Sequence, residues 1–485
     1  MDALKGGRQV SLTKNTGKYI IHSLIVLFFM FGFRCIPPLE PITEIGMGVL
    51  GVFLGVIWGW TFVSQVWPSI MSLIAIGFTG YMTVTEAFAT GFSNDNVLFV
   101  FFTLTLMYAI DQAGVTKLLA YKILNLKIGR GHPWILTFLI IYGSWIMGAF
   151  AGLFVAIFVA WAMFYRIVEI YKIPKGKYTT YMVAGICFAC IMSAQAFPFR
   201  APVLMMTGAY TGVSGITPDP LMFTIFMWIT NFLYMLGYTL VGRFIIRPDV
   251  SAIAQVNEAI IEDEGNLSTY QKIMIAFLAA FLLLMFWPSF MPDSWLITQI
   301  IATLTNKGIA AILVGILLIC NFTEAPKVSE MVGKGVNWDV IFLMTSVMVV
   351  TNALGNDATG IATFLNQVLQ PIFGGRSTII FLILVTLLPA IITNFCNNLV
   401  VGMIFIPIAY SFCVTAGINH TALAVALCSL CSVAMITAAG CAPAAMLHGN
   451  TEWITPKQAA WYGLWALIVT WVVTFCCLPL AFMLF

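Results

Sequence analysis

Three amides, Asn394, Asn397 and Asn398, stand inside the apolar run 391–407, IITNFCNNLVVGMIFIP. An amide side chain brings two donors and two acceptor lone pairs, and in hydrocarbon each polar group without a partner costs several kcal/mol. At that depth such groups face protein or a watery cavity and mark solute or ion paths, so the chemistry they suit is recognition of a polar solute. Asn397 and Asn398 are adjacent and point to different sides of a helix, whereas a polar residue that only glues two helices together needs one side. Thr393 and Asn394 fall in the arm before them, where a bond to the partner arm competes with a functional one. A second centre is PFRAP, residues 198–202, in which Arg200 stands between Pro198 and Pro202. Its guanidinium is always charged and offers donors in a fixed fork, which suits an anion or the place of a bound cation. The competing reading is an arginine at a span end that snorkels to the interface. Pro443, in AAGCAPAAM, marks a corresponding break without a charge, and His448 and Asn450 follow it closely.

The elements that must position these residues are membrane spans. The chain has 485 residues, 61% hydrophobic and 8% charged, with mean hydropathy +0.99, against about 25% charged residues in a soluble protein. This is an all-α polytopic membrane protein with the bilayer as its solvent, and we expect about 11 transmembrane helices plus two re-entrant helical hairpins. A net charge of +3 is small and scattered, so it points to orientation in the bilayer and away from nucleic acid. Eleven cysteines lie mostly in apolar runs. Cys187 with Cys190 and Cys428 with Cys431 have the spacing of small packing residues on one helix face, and imply no disulfide framework.

Taken in order, Lys5, Arg8, Lys14 and Lys18 precede a first span at 19–36, which reads as a signal anchor with a cytoplasmic N-terminus in the plasma membrane. Runs at 46–65, 68–85 and 96–113 lead to a basic segment with Lys117, Lys122, Lys127 and Arg130. An apolar stretch, 134–165, then ends at Arg166, Lys172, Lys175 and Lys177. About 32 residues make about 48 Å of helix, too long for one perpendicular crossing of a core of about 30 Å. The stretch fits two half-helices that enter and leave by one face, with a tip near Gly143, Gly148 or Gly152; one long tilted helix is the alternative. A span at 178–197 breaks at 198–202, where two prolines remove backbone donors. A further span at 221–246 precedes a polar linker, 247–272, with Glu258, Glu262, Asp263 and Glu264.

The second half repeats this order. Spans at 273–290 and 295–320 precede 337–369, which can be laid against 94–124 with Val97, Phe99 and Leu119 opposite Val340, Phe342 and Leu365. Each copy leads to a long interrupted apolar stretch, 134–165 or 378–411, and then to a span broken at a proline, Pro202 or Pro443. Broken segments at matching places in two halves point to a transporter site near the midplane. The stretch 378–411 is flanked only by Arg376 and His420, so its flanks are read as external. The expected organisation is a first segment 1–45, an inverted repeat 46–246, the linker 247–272 and a second repeat 273–485, with breaks at 198–202 and 440–444.

The segment TNFCNNLVVGMIFIP resembles the second hairpin of the divalent-anion:sodium symporter (DASS) family. That family carries Ser-Asn-Thr at each hairpin tip and a proline ten residues after the Ser. Asn397, Asn398 and Leu399 fall on those positions, with Pro407 at the right distance. The resemblance implies hairpin-tip sodium sites built largely from backbone carbonyls, here at Gly148, Ala149, Asn398, Gly440 and Ala444. It also implies Na+ as coupling ion, a homodimer and an elevator motion. The chain departs from the pattern in the first half, where Met147, Gly148 and Ala149 occupy the motif. The family's Gly-Thr-Pro-Pro-Asn becomes Phe199, Arg200, Ala201, Pro202, Val203 and Gly440, Cys441, Ala442, Pro443, Ala444.

The expectation is a secondary active transporter of a small anion, a dicarboxylate by resemblance, with Asn397, Asn398, Arg200, Thr393, Asn394, Pro202 and Pro443 at the substrate. Its partners are that anion, the lipid bilayer and a second copy of the chain. An anion channel and a transport-inactive sensor or scaffold are the alternatives. An enzyme is not expected, for the sequence has no HExxH, GxSxG or P-loop. Asp95, Asp111, Asp339, Asp357, Glu86 and Arg34 fall near span ends and read as interfacial.

Overall fold

The structure is a computed structural model. It describes residues 16–114, 131–151, 153–251, 253, 267–320, 322–361, 363, 364, 367, 377–438 and 440–485. Lys5, Arg8, Lys14, the basic segment from Lys117 to Arg130, Gly152, the acidic residues of the linker, Leu365 and Arg376 lie outside them.

The described residues form helices: α1 (Thr16–Leu27), α2 (Glu44–Phe62), α3 (Val66–Phe78), α4 (Val84–Phe92), α5 (Asp95–Gln112), α6 (Pro133–Ala151), α7 (Leu153–Ile170), α8 (Lys177–Ser193), α9 (Ala201–Ser214) and α10 (Pro220–Val241). After the linker come α11 (Thr269–Phe290), α12 (Leu296–Cys320), α13 (Trp338–Gly355), α14 (Thr378–Ile392), α15 (Asn398–Ala416), α16 (His420–Ser432), α17 (Ala442–Gly449), α18 (Pro456–Cys476) and α19 (Leu478–Leu484). Helix starts are written in the sequence. Thr83 with Glu86, Ser268 with Gln271 and Thr455 with Gln458 form reciprocal capping pairs, which satisfy backbone donors that a helix start leaves free.

Among the described residues, nine helices are long and apolar enough to cross a membrane, or ten if α4 and α5, bent by 46°, form one span. Large apolar side chains face outward, with Leu296 71%, Ile379 64% and Ile319 84% exposed. That arrangement needs hydrocarbon outside. α12, one straight span in the hydropathy pattern, kinks at Thr305, whose φ of 57° is non-helical.

The helices group into two compact units, Met1–Val97 with Trp338–Gly374 and Leu98–Asn337 with Gly375–Phe485. In the first unit α2, α3 and α4 pack on α13. Ser72 and Ser346 hydroxyls meet at 2.6 Å, and Thr43 Oγ1 donates to Ala358 O at 2.7 Å.

The second unit holds every site residue singled out above, and it uses each half of the chain in the same way. α6 and α7 pack on each other and on α8; α14 and α15 pack on each other and on α16. The helix after each broken span, α10 or α18, packs on the first arm of its own half, α6 or α14, and α10 and α18 pack together. The alternative of one long tilted helix at 134–165 is excluded. A Cβ placed on Gly148 would lie 3.6 Å from the Ala156 Cβ, whereas eight residues along one helix span about 12 Å. The chain therefore reverses between them.

Candidate functional site

Gly148 is where the first hairpin meets the end of α8. A Cβ there would fall 2.1 Å from Ser193 Oγ and 2.8 Å from Ser193 Cβ, so only a glycine lets the two backbones close. Gly148→Ala will cost about 1–3 kcal/mol through forced separation. Thermal unfolding of the purified protein checks this, and Ser193→Gly in the same chain should recover most of the loss.

Beyond Ser193 the helix stops. Residues 194–200 form successive turns, with Ala196 N bonded to Ser193 O at 3.1 Å and Arg200 N to Phe197 O at 3.3 Å. Trp228 of α10 donates its indole N–H to Ala196 O at 3.0 Å. Phe197 stacks on Phe199 at 4.9 Å and meets Phe150 and Trp228 at 5.5 and 5.8 Å, which walls one side of the break. α9 restarts with Arg200 as N-cap and Pro202 in its first turn, a position where the missing N–H costs nothing.

The Arg200 guanidinium turns back and donates from Nη2 to Gly148 O at 2.5 Å, tying break to hairpin tip. Among the described residues no carboxylate pairs with Arg200. It also sits at the positive end of the α9 dipole, which repels a cation. This charge is held at a place that favours an anion beside it.

The second hairpin is held differently. Thr393 and Asn394 are fully buried in the turn after α14. Asn394 Nδ2 donates to Ala390 O at 2.8 Å, while its Oδ1 accepts from the N–H of Met435 and of Ile436, both at 2.9 Å. Thr437 Oγ1 donates to Asn394 O at 2.5 Å, and Thr393 Oγ1 donates to Cys431 O. These bonds take the polar groups of Thr393 and Asn394 into holding the irregular backbone from Val433 to Thr437. Asn397 caps α15, its Oδ1 accepting from Leu399 N at 3.0 Å. The Asn398 backbone N–H donates to Gly440 O at 3.0 Å. The Asn398 side chain is half-buried and has no hydrogen-bond partner among the described residues. α17 restarts with Pro443 in its first turn, so both resumed helices open on the same Ala-Pro pair.

Hairpin tip and break therefore touch in each half, through Arg200 and Gly148 in one and Asn398 and Gly440 in the other. The two halves are joined by α9 and α15. Met206 fits against Gly402, where a Cβ would lie 2.8 Å from its Cγ and Sδ, and farther along Tyr210 and Tyr410 meet at 6.1 Å. Residue numbers rise in the same direction on both helices, so α9 and α15 run parallel. Arg200 and Asn398 stand at the same end of that pair, with two positive helix ends beside them. α17 packs on α7 and α8, with the Cys187 thiol donating to Pro443 O at 3.6 Å. Of the expected ion ligands, Gly148 O and Gly440 O thus each accept a protein donor, and Ala149 and Ala444 are buried.

Each of the other candidates has a polar partner of its own in the fold. His448 Nε2 is 3.3 Å from Met435 O. Asn450 Nδ2 donates to the Tyr165 hydroxyl at 2.6 Å, at the flank of the first hairpin, where Lys175 pairs with Glu452 at 3.0 Å. At the far end of α9, the Tyr210 hydroxyl lies 2.7 Å from Nδ1 of His420, the first residue of α16. Arg34 donates to Phe78 O and Glu86 is an N-terminal capping residue.

Gln195, a lone glutamine in the apolar run IMSAQAF, stands out in the structure and not in the sequence. It is fully buried within the break.

No family model matches the chain. Over 349 residues it is 22% identical to an uncharacterized transporter of Methanocaldococcus jannaschii, covering 70% of this chain and 72% of that protein. The crystal structure of the Alcanivorax borkumensis YdaH transporter is similar with a TM-score of 0.55 at 14% identity, covering 82% of this chain and 87% of that one. This chain has the fold of a membrane transporter.

Proposed function

We propose that the protein is a secondary active carrier of a small anion, with a dicarboxylate as the first substrate class. The observation that carries this reading is Arg200: a cation without a carboxylate partner among the described residues, fixed to a hairpin tip and placed beside two helix N-termini. An anion there gains charge-assisted hydrogen bonds and removes the unfavourable field of the α9 dipole. The transporter relatives support the carrier class, and the resemblance of 393–407 to the DASS family supports the carboxylate.

Asn398 supplies a free amide donor from the other half, Asn397 shapes the tip by capping α15, and Thr393 and Asn394 position it. The two halves are inverted repeats in this reading. The flank of the first hairpin meets the end of α17 through Tyr165 and Asn450, and the flank of the second meets the end of α9 through Tyr210 and His420. Cysteine labelling from each face tests it, with opposite accessibility expected for the two flanks. Sodium as coupling ion at the second tip, a homodimer and an elevator motion complete the proposal from the family resemblance.

The test is uptake into proteoliposomes of labelled di- and tricarboxylates, sulfate and phosphate, with and without a sodium gradient. Saturable uptake separates a carrier from a pore. Asn398→Ala keeps the backbone bond to Gly440 and loses the side-chain donor, so KM should rise roughly tenfold, the worth of one hydrogen bond of about 1.4 kcal/mol. The melting temperature should stay unchanged.

A further inference from the structure

Gln195 is fully buried in the break between α8 and α9, and neither its Oε1 nor its Nε2 has a hydrogen-bond partner among the described residues. Its backbone N–H is bonded to Met192 O at 3.3 Å, so the unspent donor belongs to the side chain. Two further buried atoms without partners among the described residues lie on the helices that flank this break: Trp145 Nε1 on α6 and Asn231 Oδ1 on α10. Trp228 joins the three elements. Its ring meets Trp145 edge-on at 5.0 Å, its indole N–H holds Ala196 O, the residue after Gln195, and Asn231 follows it one turn along α10.

A buried amide with both ends unsatisfied is costly anywhere, and more so at membrane depth, where no solvent relieves it. Leucine would fill the same space without that penalty. Such a residue fits a place that a ligand completes in another state of the protein.

Building on the anion-carrier reading above, we propose that Gln195 is a specificity-determining residue for the carried anion. Its Nε2–H donates to an anionic oxygen, and its Oε1 accepts from a donor on the same solute. Arg200, five residues on in the same break, supplies the charge. A bare carboxylate or sulfate offers only acceptors and leaves Oε1 unsatisfied. A hydroxycarboxylate, or a phosphate that keeps an O–H, satisfies both atoms. The inferred substrate class is therefore an anion that carries a hydrogen-bond donor.

The experiment compares two matched pairs, malate with succinate and phosphate with sulfate, as substrates of the full-length protein in proteoliposomes. The parent should take up the donor-bearing member of a pair with a KM roughly tenfold lower. Gln195→Leu should bring the two members within about twofold of each other, because the pocket then rejects neither. Unfolding without substrate gives the second readout: Gln195→Leu should melt at or above the parent temperature, since it removes a polar group that has no partner. Gln195→Met serves the same comparison if the leucine variant fails to fold.

A parent that does not discriminate within a pair it carries overturns the inference, as does a Gln195→Leu protein that keeps the preference. A variant that melts several degrees lower with KM unchanged also overturns it, by marking Gln195 as the anchor of a buried water. A parent that takes up none of the four anions overturns the carrier reading itself and this inference with it.

Discussion

Arg200→Ala will reduce anion uptake by roughly a hundredfold, the loss of about 3 kcal/mol expected when one partner of a desolvated charge pair is removed. The prediction follows from what surrounds the guanidinium. It is anchored at one nitrogen by Gly148 O, so its remaining donors are held in place, and no carboxylate among the described residues neutralises it. Stability should move little. Losing the bond to Gly148 costs about 1.5–3 kcal/mol, as for hydrogen bonds to charged groups, and removing an uncompensated charge from the positive end of α9 returns an amount of similar order. Arg200→Lys keeps the charge but not the fork, so it should recover only part of the uptake. Kinetics and melting curves on the same three preparations check both statements. A structural arginine would show the reverse pattern, a large drop in melting temperature with the KM of surviving protein unchanged.

Asn394→Leu carries the second large effect, on folding. One side chain makes three hydrogen bonds, one back to Ala390 O within its own hairpin arm and two across to the break, where its Oδ1 is the acceptor for the backbone N–H groups of Met435 and Ile436. With leucine both N–H groups, together with the Ala390 carbonyl, are left to relax on their own. Each buried group left unsatisfied costs about 1–3 kcal/mol, so the three together cost roughly 3–9 kcal/mol, with relaxation toward the lower end, a large part of the stability of a folded domain. Thermal unfolding in detergent measures it, alongside the yield of monodisperse protein. Asn394→Asp retains the acceptor for both N–H groups and should fall between the parent and the leucine variant.

Much of this architecture is legible in the sequence. The apolar stretches 134–165 and 378–411 become the helix pairs α6–α7 and α14–α15, because length alone forbids a single perpendicular crossing. Pro202 and Pro443 mark where helices resume, since proline is accommodated in a first helical turn. The prolines do not mark where the preceding helices stop. α8 ends at Ser193, within reach of Pro198, whereas α16 ends at Ser432, well before Pro443 and within apolar sequence that carries no proline. In the second half the cause is tertiary: Asn394, far away in sequence, captures the N–H groups of Met435 and Ile436 that a continuing helix would have used.

The same limit applies to the site. Polar residues in an apolar run showed Asn397, Asn398 and Arg200, but their type could not separate a bond within the protein from a free donor. Asn394 and Thr393 spend their groups on the fold, while the Asn398 amide remains unpaired among the described residues. Gln195 carried the same signal as the asparagines, one amide among apolar residues, and was masked by the more conspicuous PFRAP that follows it. The weakness of the first hairpin tip, Met147-Gly148-Ala149, also has a counterpart that spacing could not supply. Gly148 is required for close approach to Ser193, and its carbonyl holds Arg200.

The measurement that bears most directly on the account is succinate and malate uptake into proteoliposomes as a function of concentration, for the parent, Arg200→Ala and Asn398→Ala reconstituted at equal density. The account predicts saturable accumulation by the parent, a rise in KM for Asn398→Ala and near loss of uptake for Arg200→Ala. Flux that rises linearly without saturation, or parent-like uptake by both variants, would contradict it.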